Sequence, residues 1–280
     1  MRSSSRASIR RPGGFFVASA AVALALPALG FGRSFVVPWS RGQLSPSPLL
    51  VAHAVAFFAW VVLLLVQALL VRRRRVDVHR RLGWAGAGLA ALMLVAGLAV
   101  ALGSTARALA EGGGPAASGF LLRLLLELGL FTAFAGVGIA MRRRPEVHRR
   151  LMLLATMSLM AAASARVPLL VDWPIAVMLA LVASLAAFDL ATARRVHAAT
   201  LWGGAALMGV QLAWQPLSET GTWQAAALGL LGALELLPEA GDCVDSPHCI
   251  RCGVMQSLLG RLCTLLSRGT CHEMRSGSAA

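Results

Sequence analysis

Three histidines of this chain sit in near-copies of one short stretch. "RRRRVDVHRRLGWAG" (Arg72–Gly86) carries His79, "RRRPEVHRRLMLLAT" (Arg142–Thr156) carries His148, and a fainter copy, "ARRVHAATLWGGAAL" (Ala193–Leu207), carries His197. Two imidazoles at one depth on facing helices can ligate a haem iron, and neighbouring guanidinium groups can pair with its propionates. Neutral imidazoles also bind copper or zinc, and Asp77 and Glu146, each two residues before a module histidine, add acids at that level. A second metal-ligating candidate is "HCIRC", where Cys249 and Cys252 have the CxxC spacing of zinc ligands or a redox disulfide. There is no nucleophile–base arrangement and no Gly-rich phosphate loop followed by Lys. The residues therefore point toward binding or structural roles more than toward catalysis.

The elements that must position these side chains are membrane helices. Hydrophobic residues make up 58% of the chain and charged ones 14%, against about 25% charged in soluble domains. Several apolar runs exceed the roughly 18 residues that mark a spanning helix. The expected fold is an all-α membrane protein with about seven transmembrane helices in a bundle. The runs are 15–31, 49–71, 82–102, 119–141, 151–171, 174–193 and 197–214. Residues 1–14 form a basic tail before a seven-helix domain over 15–214, and residues 215–280 form a short apolar segment and a Cys-containing tail. A basic start and a short apolar run also describe a signal peptide. "ALPALGFG" is a poor cleavage site, which favours an uncleaved first helix.

Arginine location predicts orientation. The formal net charge is +14, and all 26 basic residues are arginine. Lys, Asn and Tyr, whose codons are AT-rich, do not occur, so the bias reads as a GC-rich genome. Of the 26, 17 lie in the N-terminal tail and in segments 72–81, 142–150 and 194–195, while alternate loops hold only Arg33, Arg41 and Arg107. Short arginine-rich loops stay cytoplasmic, so the N-terminus is expected inside and the C-terminus outside. Charge confined to loops also argues against a nucleic-acid surface. Gly83, Ala87 and Ala91, spaced by four, are the expected face for close helix packing.

Orientation assigns a depth to each polar residue. His79, His148 and His197 form one cytoplasmic tier, with Gln67 and Asp189 near it. His53, Arg123, Glu127, Arg166 and Gln211 form an outer polar cluster, with Asp172 in the adjoining loop. Intramembrane ionisable groups are functional candidates by default. The bland alternatives stay open: arginines near helix ends snorkel to headgroups, Arg123 and Glu127 can pair along one face, and a histidine between arginines can simply anchor a helix.

The tail changes character at Trp223. "WQAAALGLLGALELL" is short of a span and suits the outer interface; all five cysteines follow within the last 38 residues. A frame-shifted or unstructured extension is the alternative to a metal site there.

As a set, "GFGRSF" (Gly30–Phe35), His53 with Phe57, Trp60 and Gln67, "VHRRLGW" from Val78, "RRPEVHRRLMLLAT" (Arg143–Thr156), Arg166 with Pro168, and "RRVHAATLWGG" (Arg194–Gly204) resemble a group of uncharacterised multi-pass bacterial membrane proteins. The likeness covers about residues 28–214. The "HRRLM" stretch is also similar to small four-helix proteins associated with haem-copper oxidase assembly, which implies a haem-handling context. The expected protein is thus a multi-pass bacterial inner-membrane protein in lipid, supporting respiratory or haem-linked processes, with haem as the candidate cofactor at His79, His148 and His197. A transporter or lipid-binding protein using the outer cluster, and a structural partner of another membrane protein, are the other readings.

Overall fold

The computed structural model describes residues 13–234 and residue 236. Most of the basic tail, and the candidate ligands Cys249 and Cys252, lie outside the described residues. Those described form helices and turns with no strand. The helices are α1 (Gly13–Phe31), continued through a π segment (Gly32–Val36) into α2 (Val37–Ser40), then α3 (Pro48–Arg72), α4 (Val76–Ala110), α5 (Gly114–Ala140), α6 (Pro145–Ser158), α7 (Met160–Ser164), α8 (Pro174–Ala193), α9 (Ala198–Ser218) and α10 (Gly221–Ala233). Five are long and apolar enough to cross a membrane: Gly13–Ser40, Pro48–Arg72, Val76–Ala110, Gly114–Ala140 and Pro174–Ala193. The chain is a multi-pass α-helical membrane protein.

The described residues form two compact units, one from residues 13–98 and 125–213, the other from 99–124, 214–234 and 236. In the first unit α6 is the central element. It packs against α1, α3 and α8. Leu151 and Met152 of α6 lie against Gly138 of α5, and Leu154 lies against Gly203 of α9. Leu151, Leu153 to Ser158, and in α7 Met160, Ala161, Ala163 and Ser164 are all buried. The "HRRLM" segment is therefore surrounded by protein, so it needs less apolar composition than a lipid-facing helix. Trp60 of α3 packs edge-on against Phe131, 5.0 Å between ring centres, and donates its indole N–H to Thr156 at 3.1 Å.

The expected fifth span, 151–171, folds differently. Its helix breaks at Leu159, whose N–H reaches the Thr156 carbonyl at 3.1 Å. Ser158 and Ser164 turn their hydroxyls onto the Ala155 and Ala161 carbonyls three residues back, at 2.8 and 3.0 Å. Such back-bonding competes with the helical ladder and bends the helix. After Ala165 the chain continues as turns to Trp173. The seventh run extends past its expected end: α9 continues through Pro216 to Ser218.

Close helix approach on α4 starts on the expected face, where a Cβ at Gly83 would lie 3.9 Å from Gln67, but follows a different series from there. A side chain at Gly86 would lie 3.1 Å from Leu63, and one at Gly97 3.1 Å from Leu128, whereas Ala91 is exposed. Steps of four advance 400° and drift around the helix; the 4-3-4 series Gly86, Ala90, Met93, Gly97 stays on one side. The tightest approach is at Gly30, where an added Cβ would lie 2.6 Å from the Ala163 carbonyl oxygen. Gly30→Ala is expected to cost about 1–3 kcal/mol because α1 must move off α7. Gly32→Ala, with nothing within 4 Å of its added Cβ, is expected to be near neutral. Thermal unfolding in detergent, followed by circular dichroism, separates the two.

Helix ends follow local rules. Ser47 caps α3 by accepting the Leu50 N–H at 3.3 Å, with Pro48 in the first turn. α3 stops in a Schellman arrangement, the Arg75 N–H reaching the Leu70 carbonyl at 2.9 Å around Arg74 at φ 60°. That conformation suits glycine, so Arg74→Gly is expected to raise stability by about 1 kcal/mol in the same assay.

The second unit has its own small core of Ala106, Leu231 and Leu236, flanked by Leu102, Leu109 and Leu234. Thr220 caps α10 on the Trp223 N–H, and the Trp223 indole donates to the Ser118 carbonyl at 2.9 Å. The apolar segment expected at the interface is thus a 13-residue helix.

Candidate functional site

The module histidines do not form one equivalent trio. His79 and His148, each the fourth residue of its helix, α4 and α6, come together with ring centres 6.3 Å apart and planes at 82°. Both helices extend N-terminal to their apolar runs, so each histidine sits on a helix rather than in a loop. His148 Nδ1 lies 2.8 Å from the Gly138 carbonyl oxygen. A carbonyl only accepts, so in the neutral ring Nδ1 carries the proton and Nε2 keeps its lone pair. His79 Nδ1 is buried without a hydrogen-bond partner, as is Gln67 Oε1 beside it. Gln67 reaches across from α3 and donates to the His79 carbonyl at 3.3 Å. Three helices thus meet around two imidazoles and two unsatisfied polar atoms.

His197 serves elsewhere. Its Nδ1 accepts the Ala199 N–H at 3.0 Å, which caps α9. Its backbone N–H goes to Asp189 Oδ2 at 3.1 Å. Asp189 is fully buried and is the centre of an ionic knot. Its Oδ1 accepts from Arg150 Nε at 2.9 Å and Nη2 at 2.5 Å, and its Oδ2 from Thr200 Oγ1 at 2.6 Å. Arg150, itself 2% exposed, also reaches the Glu146 carbonyl and carboxylate, each at 2.7 Å. Arg149 pairs with the same carboxylate and lies over Phe16, 4.7 Å from its ring centre.

Glu127 and Gln211, each 4% exposed, are joined by a hydrogen bond from Gln211 Nε2 at 3.4 Å. His53 stacks on Phe57 one turn along its own helix, 4.2 Å between ring centres, with Nδ1 buried and lacking a hydrogen-bond partner. Arg166 donates to the Ala162 carbonyl at 2.6 Å and lies over Phe31. Arg123, in the second unit, lies over Trp214 at 5.2 Å.

Arg150 and Thr200 were not singled out by the sequence reading as parts of any site. The available signal was Asp189 itself: an acid in an apolar helix must find a cation, and arginines entering α6 are the nearest source at that level. Among the described residues, no three His, Cys, Asp or Glu side chains gather as a metal site. Comparison with protein-family models, curated proteins and solved structures finds no match to this chain.

Proposed function

We propose that this chain is a seven-pass protein of the bacterial inner membrane, N-terminus cytoplasmic and C-terminus outside, that serves a respiratory or haem-linked process through a paired-imidazole site. The arginine distribution supports the orientation. Residues 145–164 would rise about 30 Å as a continuous helix, and the 21-residue α9 about as much, so both suffice to cross a bilayer. Their lower apolarity suits helices shielded by neighbours, where a break at Leu159 is tolerated.

One observation carries the site: the His79–His148 pair with its buried, unsatisfied His79 nitrogen. His79 and His148, with ring centres 6.3 Å apart, are the residues that would hold a haem iron. The hydrogen bond from His148 to Gly138 fixes ring orientation and leaves Nε2 as a ligand. Arg80 and Arg81 of α4 and the Arg142–Arg144 turn supply cations for carboxylates at that end. The likeness of "HRRLM" to oxidase-assembly proteins agrees with this reading. Haem bound there would supply one-electron transfer; the chain supplies ligands, tautomer and charge. Titration of the purified protein with haem tests it: uptake of one equivalent with a low-spin Soret band is expected, and no uptake overturns it.

A second reading rests on Glu127 and Gln211, a buried carboxylate and amide inside α5 and α9. A transporter using them would lose substrate movement in Glu127→Gln and Arg166→Ala without losing folded protein. Unchanged variants would remove that reading.

A further inference from the structure

The flank of the first unit where α5, α6 and α9 meet carries an apolar recess of about 280 Å³, apart from the imidazole pair. It is lined by Phe134 and Val137 of α5, Leu151 of α6, and Ala199, Trp202 and Gly203 of α9. Gly203 creates the depth. A Cβ there would meet Leu154 Cδ1 at 2.5 Å, so a larger residue would have to displace that side chain. The recess opens outward, with Val137 49% and Trp202 72% exposed. On a membrane-inserted helix such as α5, that opening faces lipid.

One end of the recess reaches the arginine-rich end of the unit. Val137 is one turn before the end of α5, Leu151 follows Arg150 directly, and Ala199 lies in the first turn of α9. Exposed arginines cluster in the two adjoining turns: Arg142, Arg143 and Arg144 after α5, Arg194 and Arg195 before α9. The neighbouring acids are already engaged, Glu146 by Arg149 and Arg150 and Asp189 by Arg150. Among the described residues no ion pair holds any of those five arginines. The surface therefore joins an apolar slot to a cationic rim, with an exposed indole at the level that tryptophan favours in membranes.

We infer that this surface binds one anionic phospholipid of the surrounding leaflet, with an acyl chain in the recess and the phosphate among the arginines. An acyl chain gains little from leaving other lipid tails for an apolar slot, so shape alone would not retain one lipid over another. Charge does: a net-negative headgroup is drawn to the rim, whereas the ammonium of a zwitterionic one is repelled by it. The inference rests on membrane insertion of α5 and does not depend on a ligand at His79 and His148.

The test is native mass spectrometry of the full chain in mild non-ionic detergent, with phosphatidylglycerol or phosphatidylethanolamine of identical acyl chains added. Retention of one phosphatidylglycerol is expected, at least about fivefold over phosphatidylethanolamine, and weakened by salt but not displaced by millimolar inorganic phosphate. Val137→Trp, or Ala133→Leu should the first fail to fold, fills the recess and is expected to abolish the preference. Arg143→Gln with Arg194→Gln is expected to do the same, while Leu92→Trp on the exposed side of α4 leaves it intact. Equal retention of the two lipids, or undiminished preference in a folded recess-filling variant, overturns the inference.

Discussion

Asp189→Asn is expected to lower the thermal stability of the detergent-solubilised protein by about 3–5 kcal/mol, more than the Gly30 substitution. The change keeps the shape of the side chain, so no cavity accounts for the loss. What it removes is the counter-charge of Arg150, which is 2% exposed and bound through two nitrogens to Asp189 Oδ1. The Glu146 carboxylate still reaches Arg150 at 2.7 Å, but it lies on the exposed first turn of α6 and is shared with Arg149. The Thr200 hydroxyl and the His197 N–H lose a charged acceptor as well, which loosens the start of α9. A double change, Arg150→Met with Asp189→Leu, removes both charges and is expected to recover most of the loss. Thermal unfolding of the three proteins side by side checks this; a double variant as unstable as Asp189→Asn would show that packing, not the buried charge, is responsible.

The second large effect is on ligand binding. His79→Ala and His148→Ala are each expected to weaken haem binding by about 100-fold or more, since each deletes one of the two proposed ligand nitrogens. His197→Ala is expected to leave haem binding unchanged and to cost only about 1 kcal/mol of stability, the worth of a helix cap. Haem titrations of the three variants check the split. Equal losses at all three positions would mean that the histidines act through the fold of the arginine-rich end and not as a ligand pair.

Much of the helical layout was legible in the sequence, because lipid-facing helices must be apolar along their length. The run expected at 49–71 is Pro48–Arg72, and the sixth, 174–193, is Pro174–Ala193. Where protein replaces lipid as the surroundings, hydropathy stops reporting the fold. α6 is buried on several sides, so its polar start carries Arg150 into the core, and its break at Leu159 lies inside an apolar run. The site was half legible. Depth alone placed His79, His148 and His197 on one tier, but depth says nothing of position around the unit. His197 precedes its helix and caps it, whereas His79 and His148 lie on helices that face each other. The partnership of Asp189 with Arg150 depends on rotation about α6 and α8, which a run of apolar residues does not specify.

Electron paramagnetic resonance of the haem-loaded ferric protein tests the paired-imidazole site most directly. The orientation of two axial imidazole planes controls the splitting of the iron d orbitals. The planes of His79 and His148 stand at 82°, so the account predicts a highly anisotropic low-spin ferric signal, lost in His79→Ala and in His148→Ala. A high-spin signal, the rhombic low-spin signal of near-parallel imidazoles, or a signal unchanged in both variants would contradict it.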